Sequence, residues 1–135
     1  MMFLDANILL RYLTRDDPGK AQRCLELLQA ADRGEVQLTT SESVIAEVVY
    51  VLSSPRLYNL PPERIRSLLL PILHLRGLRL PSRRLFRRAL RIFADHGIDF
   101  EDALTVAHME RRGIQDILSY DRHFDDIEGI TRREP

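Results

Sequence analysis

The chain has 135 residues, 20 basic and 20 acidic side chains, 44% hydrophobic content and a single cysteine. That size and composition suit one ordinary soluble globular domain, and zero formal charge gives no global field to advertise a nucleic-acid partner. A lone Cys24 excludes an internal disulfide and fits a reducing cytosol, the uncharged runs are far too short for a membrane span, and the N-terminus lacks the basic start of a signal peptide.

Met2-Phe3-Leu4 is too short for a helix and reads as a buried strand. Asp5 follows directly, at the strand's carboxyl end, where open α/β sheets bind ligands. It either caps the next helix or holds a cation. The helix after it carries Ile8, Leu9, Tyr12 and Leu13 on one face, and Asp16-Asp17-Pro18 ends it and opens the next. That second helix turns Ala21, Cys24, Leu25, Leu28 and Ala31 inward, the cysteine as a small buried thiol. Val36-Gln37-Leu38 is a short strand, and Thr39, Thr40 and Ser41 are cap candidates for a helix running through Leu52.

Pro61-Pro62-Glu63 begins a helix that should kink at Pro71. Its Ile65, Leu68, Leu69 and Ile72 are the expected exposed apolar surface for a partner. Leu78-Arg79-Leu80 is the next strand, Pro81-Ser82 opens an Arg-rich helix, and Glu101 to Arg112 is another helix with Asp99 as its N-cap. Asp116 to Tyr120 and Ile130 to Arg132 complete the strands. Arg33-Gly34, Arg76-Gly77, His96-Gly97 and Arg112-Gly113 each place a basic residue and then glycine at a helix end, the composition of a left-handed cap on the negative end of the dipole. Helix, glycine, strand, repeated, predicts an α/β domain with a mostly parallel sheet.

Four acids stand out in this frame. Asp5 and Asp121 each follow an apolar strand, and in a parallel sheet such acids emerge on one edge. Glu47 is the one charge within Val44 to Leu52, beside the buried stripe, where an ionised carboxylate must be protonated, paired or metal-bound unless it looks out past the rim. Asp102 occupies the third helical position after Asp99, pointing toward the open helix end.

Leu4-Asp5-Ala6-Asn7-Ile8-Leu9-Leu10, Glu47 in an apolar helix, Asp102-Ala103-Leu104 and Ser119-Tyr120-Asp121-Arg122-His123-Phe124, in that order, resemble a PIN domain. More closely they resemble the VapC-type ribonuclease toxins of toxin–antitoxin pairs. The resemblance covers nearly the whole chain and implies a single PIN-like domain over residues 1–135. That fold is a three-layer α/β/α arrangement around a central, mostly parallel sheet of four to five short strands. It further implies an endoribonuclease that uses Mg²⁺ or Mn²⁺, held by Asp5, Glu47, Asp102 and Asp121, to hydrolyse RNA phosphodiester bonds. Asn7 and a hydroxyl from Thr40 or Ser41 would orient the acids, Asp99 and Glu101 crowd the site, and Asp125 could replace or assist Asp121. A cognate antitoxin, a homodimer and a cytoplasmic location are implied as well. Mg²⁺ prefers carboxylate oxygens and water, and such an ion both lowers the pKa of bound water and offsets charge on phosphoryl oxygens.

Nineteen of the 20 basic residues are Arg. Arg83, Arg87 and Arg91 form one helical row, which is either a solvated face or an RNA phosphate contact. The histidines and Cys24 are too scattered for a zinc set, so each His is expected at a surface or helix end. A phosphoacceptor receiver would need a Lys late in the chain, and the only one is Lys20; a dehalogenase-like phosphatase would need a second acid where Asn7 stands. The remaining alternative is a catalytically silent PIN-like module that binds RNA or protein. Such modules typically lose the acids, and all four are present.

Overall fold

Five short strands form, and every pairing among them is parallel. They alternate with helices in the computed structural model, which describes all residues from Met1 to Pro135. In place of one sheet of four to five strands, they form a three-stranded and a two-stranded ladder, which lie in two compact units, Met1–Arg83 and Arg84–Pro135.

The first unit contains β1 (Met2–Phe3), α1 (Ala6–Thr14), α2 (Pro18–Asp32), β2 (Leu38–Thr39), α3 (Glu42–Ser53), α4 (Pro62–Leu73) and β3 (Leu78–Arg79). Its ladder runs β1-β2-β3, with Leu38 opposite both Met2 and Leu78. Each connection is a helix pair, as parallel strands require a long crossover. Caps start the helices as expected: Asp17 accepts from the Lys20 amide at 3.0 Å with Pro18 next in line, and Ser41 accepts from the Val44 amide at 3.3 Å. Leu9, Leu38, Ile45, Val48, Leu52, Leu73 and Leu78 are buried, and so is Cys24.

Two expectations fail here. Met2 and Phe3 are 53% and 62% exposed, and only Leu4, one residue past the strand, is buried; β1 is the end strand of its ladder. The apolar stripe of α4 is not a partner surface. Ile65, Leu69 and Ile72 are buried and Leu68 is half-buried, because their spacing of four and three places them on one inward stripe. Pro71 falls in the last turn of α4, which ends two residues later.

Gly77 also departs from expectation. Gly34, Gly97 and Gly113 take the left-handed conformation with φ of 77°, 64° and 67°, but Gly77 does not and is glycine for lack of space. A Cβ there would sit 2.1 Å from the Val36 carbonyl oxygen and 2.6 Å from that of Ala31. The Gly77 amide donates to Ala31 at 2.7 Å, and its carbonyl accepts from Leu38 at 2.8 Å. This close approach sets β3 beside β2.

The second unit takes up α5 (Arg83–His96) from Arg84 onward, then α6 (Phe100–Arg112), β4 (Asp116–Leu118), a short 3₁₀ helix (Arg122–Asp126) and β5 (Thr131–Arg133). Asp116, Ile117 and Leu118 of β4 pair with Thr131, Arg132 and Arg133 of β5. Phe86, Leu90, Ile92, Ala103, Val106 and Phe124 are buried, and Phe93 meets Phe100 edge-on with ring centres 5.9 Å apart, a favoured aromatic geometry. Arg88 of α5 forms a forked pair with Glu110 of α6 at 2.7 and 2.8 Å.

Candidate active site

In the second unit, α6 begins at Phe100 with Asp99 as N-cap, as expected, although the Asp99 side chain makes no capping bond. Asp102 is therefore in the first turn, half-buried. Asp121 stands at the start of the 3₁₀ helix and accepts the His123 amide proton at 2.9 Å. The Asp121 amide donates to Ser119 Oγ at 2.9 Å, so the residue is held from both sides. The His123 ring closes the group, with Nδ1 2.9 Å from Asp121 Oδ1.

One ligand atom from each of Asp102, Asp121 and His123 lies within 4.8 Å of the others. Burial pushes the Asp102 carboxyl above its ordinary value, and repulsion from Asp121 and then Asp99 adds to the shift, against the opposing pull of His123. A carboxylate in this position is poised to gain from a cation. Two carboxylates and an imidazole fit Mg²⁺ or, better, Mn²⁺, which accepts both oxygen and ring nitrogen. When bound, such an ion supplies Lewis-acid stabilisation of charge on a phosphoryl group and a lowered pKa for water. The chain's own contribution is to hold Asp121 by Ser119 and by the backbone, and to keep Asp102 at the helix start.

His123 lies at the surface, as expected of each His. It is exposed, but the tight turn after Asp121 brings its ring back onto the carboxylate; the Asp-x-His spacing at a strand end was the available signal. Asp125 is not a member of this cluster; its carboxylate accepts from Arg132 Nε at 2.9 Å. Glu101 is exposed and adds only a minor repulsion to Asp102.

In the first unit, Asp5 is exposed and caps α1, with its Oδ2 3.4 Å from the Asn7 amide. Thr40 is buried and donates to the Leu4 carbonyl at 2.9 Å, which fixes the backbone immediately before Asp5. Ser41 is committed to capping α3 and to Ser43 Oγ at 2.9 Å. Glu47 looks out from α3 as an exposed rim residue between buried Val44 and Val48. Of the Arg row, Arg83 is tied to the Leu78 carbonyl at 2.7 Å, whereas Arg87 and Arg91 are exposed.

The PIN domain family model matches residues 2–130. The chain belongs to the PIN domain family. The match runs through all four acids and His123, and PIN domains are generally metal-dependent nuclease modules of α/β/α architecture. A search of curated proteins finds no match to this PIN domain. No helix in it is long and apolar enough to cross a membrane.

Proposed function

We propose that this PIN domain is an endoribonuclease dependent on Mg²⁺ or Mn²⁺. The observation that carries the reading is the Asp102–Asp121–His123 cluster, with its donor atoms within 4.8 Å, in a chain of a nuclease family. Asp102 and Asp121 are the assigned metal ligands, and Asp5 and Glu47 are the further acids required for cleavage. Asn7, Thr40 and Ser41 are supporting residues, Thr40 through the backbone that precedes Asp5. Asp99 contributes negative charge toward Asp102, and Asp125 has a structural part through Arg132. Residues 1–135 act as one catalytic domain, supported by a family match that runs through both units.

The finer reading is the toxin of a type II toxin–antitoxin pair, cytoplasmic and homodimeric, with RNA as substrate and a cognate antitoxin as partner. It is supported by the VapC-like spacing of the acids. The test of the chemistry is cleavage of a single-stranded RNA with Mn²⁺ or Mg²⁺, expected to stop in excess EDTA and to return on adding the ion back. Undiminished cleavage in EDTA by pure protein would reject it. Co-expression with the upstream reading frame tests the toxin role: relief of growth arrest is expected.

Arg87 and Arg91 are proposed phosphate contacts. Each unpaired contact to a single strand contributes about 0.7 to the slope of log affinity against log salt, so Arg87→Gln with Arg91→Gln should flatten it by about 1.4. Arg83 is left out of this variant, because its bond to Leu78 makes it structural. A slope unchanged from the parent would mark the row as a solvated face.

A further inference from the structure

A groove of about 540 Å³ opens between α1 and α2, lined by Asn7, Ile8, Arg11, Lys20, Arg23, Cys24 and Leu27. Three of the lining side chains are cations and none is an acid, in a chain whose formal charge is zero. Arg11 is neutralised by Asp16 at 2.8 Å. Lys20 and Arg23 are exposed and have no ion-pair partner. The floor is apolar: Ile8 and Leu27 are half-buried and Cys24 is buried. Of the lining residues on α1, Asn7 lies two residues beyond Asp5, and Arg11 follows one helical turn along, about 6 Å away.

A basic rim over an apolar floor is the pattern that holds a nucleotide, with cations on the phosphate and the base against the hydrocarbon surface. We propose that this groove is a binding subsite for one nucleotide of a nucleic-acid strand, with its phosphate on Lys20 and Arg23 and its base over Ile8 and Leu27. Charge complementarity selects a nucleic-acid strand over an apolar or basic peptide. The inference rests on the ribonuclease reading for its role in catalysis, but not for binding itself.

The experiment therefore measures binding without chemistry. A fluorescent 2′-O-methyl oligonucleotide, which resists cleavage, is titrated in EDTA against the parent, Lys20→Gln/Arg23→Gln and Leu27→Ala. The double variant should bind at least tenfold more weakly with a flatter salt slope, at an unchanged melting temperature, since both side chains are exposed. Leu27→Ala should weaken the ordinary oligonucleotide but not an abasic one. Cys24 is the only thiol, and its modification by a thiol reagent should slow when the oligonucleotide is bound. Parent-like affinity and slope in the double variant, with Cys24 unprotected, would overturn the proposal. Protection of Cys24 by a peptide but not by the oligonucleotide would overturn it too, in favour of a protein-binding groove. A parent that cuts no RNA but shows these binding differences would reject the ribonuclease reading and leave the groove standing.

Discussion

Asp102→Asn is expected to abolish RNA cleavage and, in the metal-free protein at neutral pH, to raise the melting temperature. Loss of a direct ligand should exceed the roughly 10–100-fold losses typical of outer-shell residues around a metal. The stability gain comes from removing a carboxylate that is half-buried and repelled by Asp121 and Asp99. Two unit charges about 4 Å apart repel by roughly 4 kcal/mol at an effective dielectric near 20. Partial exposure and salt reduce that to about 1 kcal/mol, enough to move the melting temperature by about 4 °C in a domain of this size.

The pH dependence has a definite sign. Because the folded protein raises the Asp102 carboxyl above its ordinary 3.8, the folded state holds more protons than the unfolded state between those two values. Stability from this group then falls as pH rises through that window, and the penalty is complete above it. The advantage of the variant should be present at neutral pH and vanish below the ordinary carboxyl value. Asp16, Glu35 and Glu110 are held low by Arg11, Arg33 and Arg88, so their stabilisation is lost as pH falls. They are common to both proteins and cancel in the difference. Mn²⁺ at a hundredfold excess over Kd stabilises a native site by about 2.7 kcal/mol, and the variant should lose most of that response. Equal melting temperatures at every pH, with cleavage retained, would remove Asp102 from the site.

The second large effect belongs to the fold. Gly77→Ala should destabilise the protein by about 3 kcal/mol or more, lowering the melting temperature by about 10 °C. The new methyl would meet the carbonyl oxygens of Val36 and Ala31 at 2.1 and 2.6 Å. Backbone cannot rotate away as a side chain can, so relief would require drawing β3 from β2 and breaking the Leu38–Gly77 hydrogen bond. Gly113→Ala is the control. Gly113 has positive φ but open space around its missing Cβ, and its replacement should cost only about 1–2 kcal/mol. Denaturant melts of the two variants compare a steric need with a conformational one, and equal losses would discount the collision at Gly77.

Local chemistry was legible from the sequence alone. Ser41, Asp17 and Asp99 mark helix starts because a side-chain oxygen, a proline or an acid acts within three residues of itself. Short segments between helices marked five strand positions, with bounds shifted by one to two residues at β2, β4 and β5, and the order of the acids pointed to the family. What required tertiary structure was every question of which groups face one another across many residues. Position after the first strand left Asp5 as either cap or cation ligand; folding leaves it exposed with its carboxylate at the Asn7 amide, and half-buries Asp102 beside the repelling charge of Asp121. Periodicity found the stripe of Ile65, Leu69 and Ile72 but could not say whether it faces core or solvent. Arg83 belongs to the Arg row by spacing, but the Leu78 carbonyl takes its guanidinium. Gly77 shares the sequence pattern of the helix caps, but the backbone of Val36 and Ala31 closes on it. Burial, repulsion and steric exclusion depend on neighbours distant in sequence, and a one-dimensional pattern contains only the residues nearby.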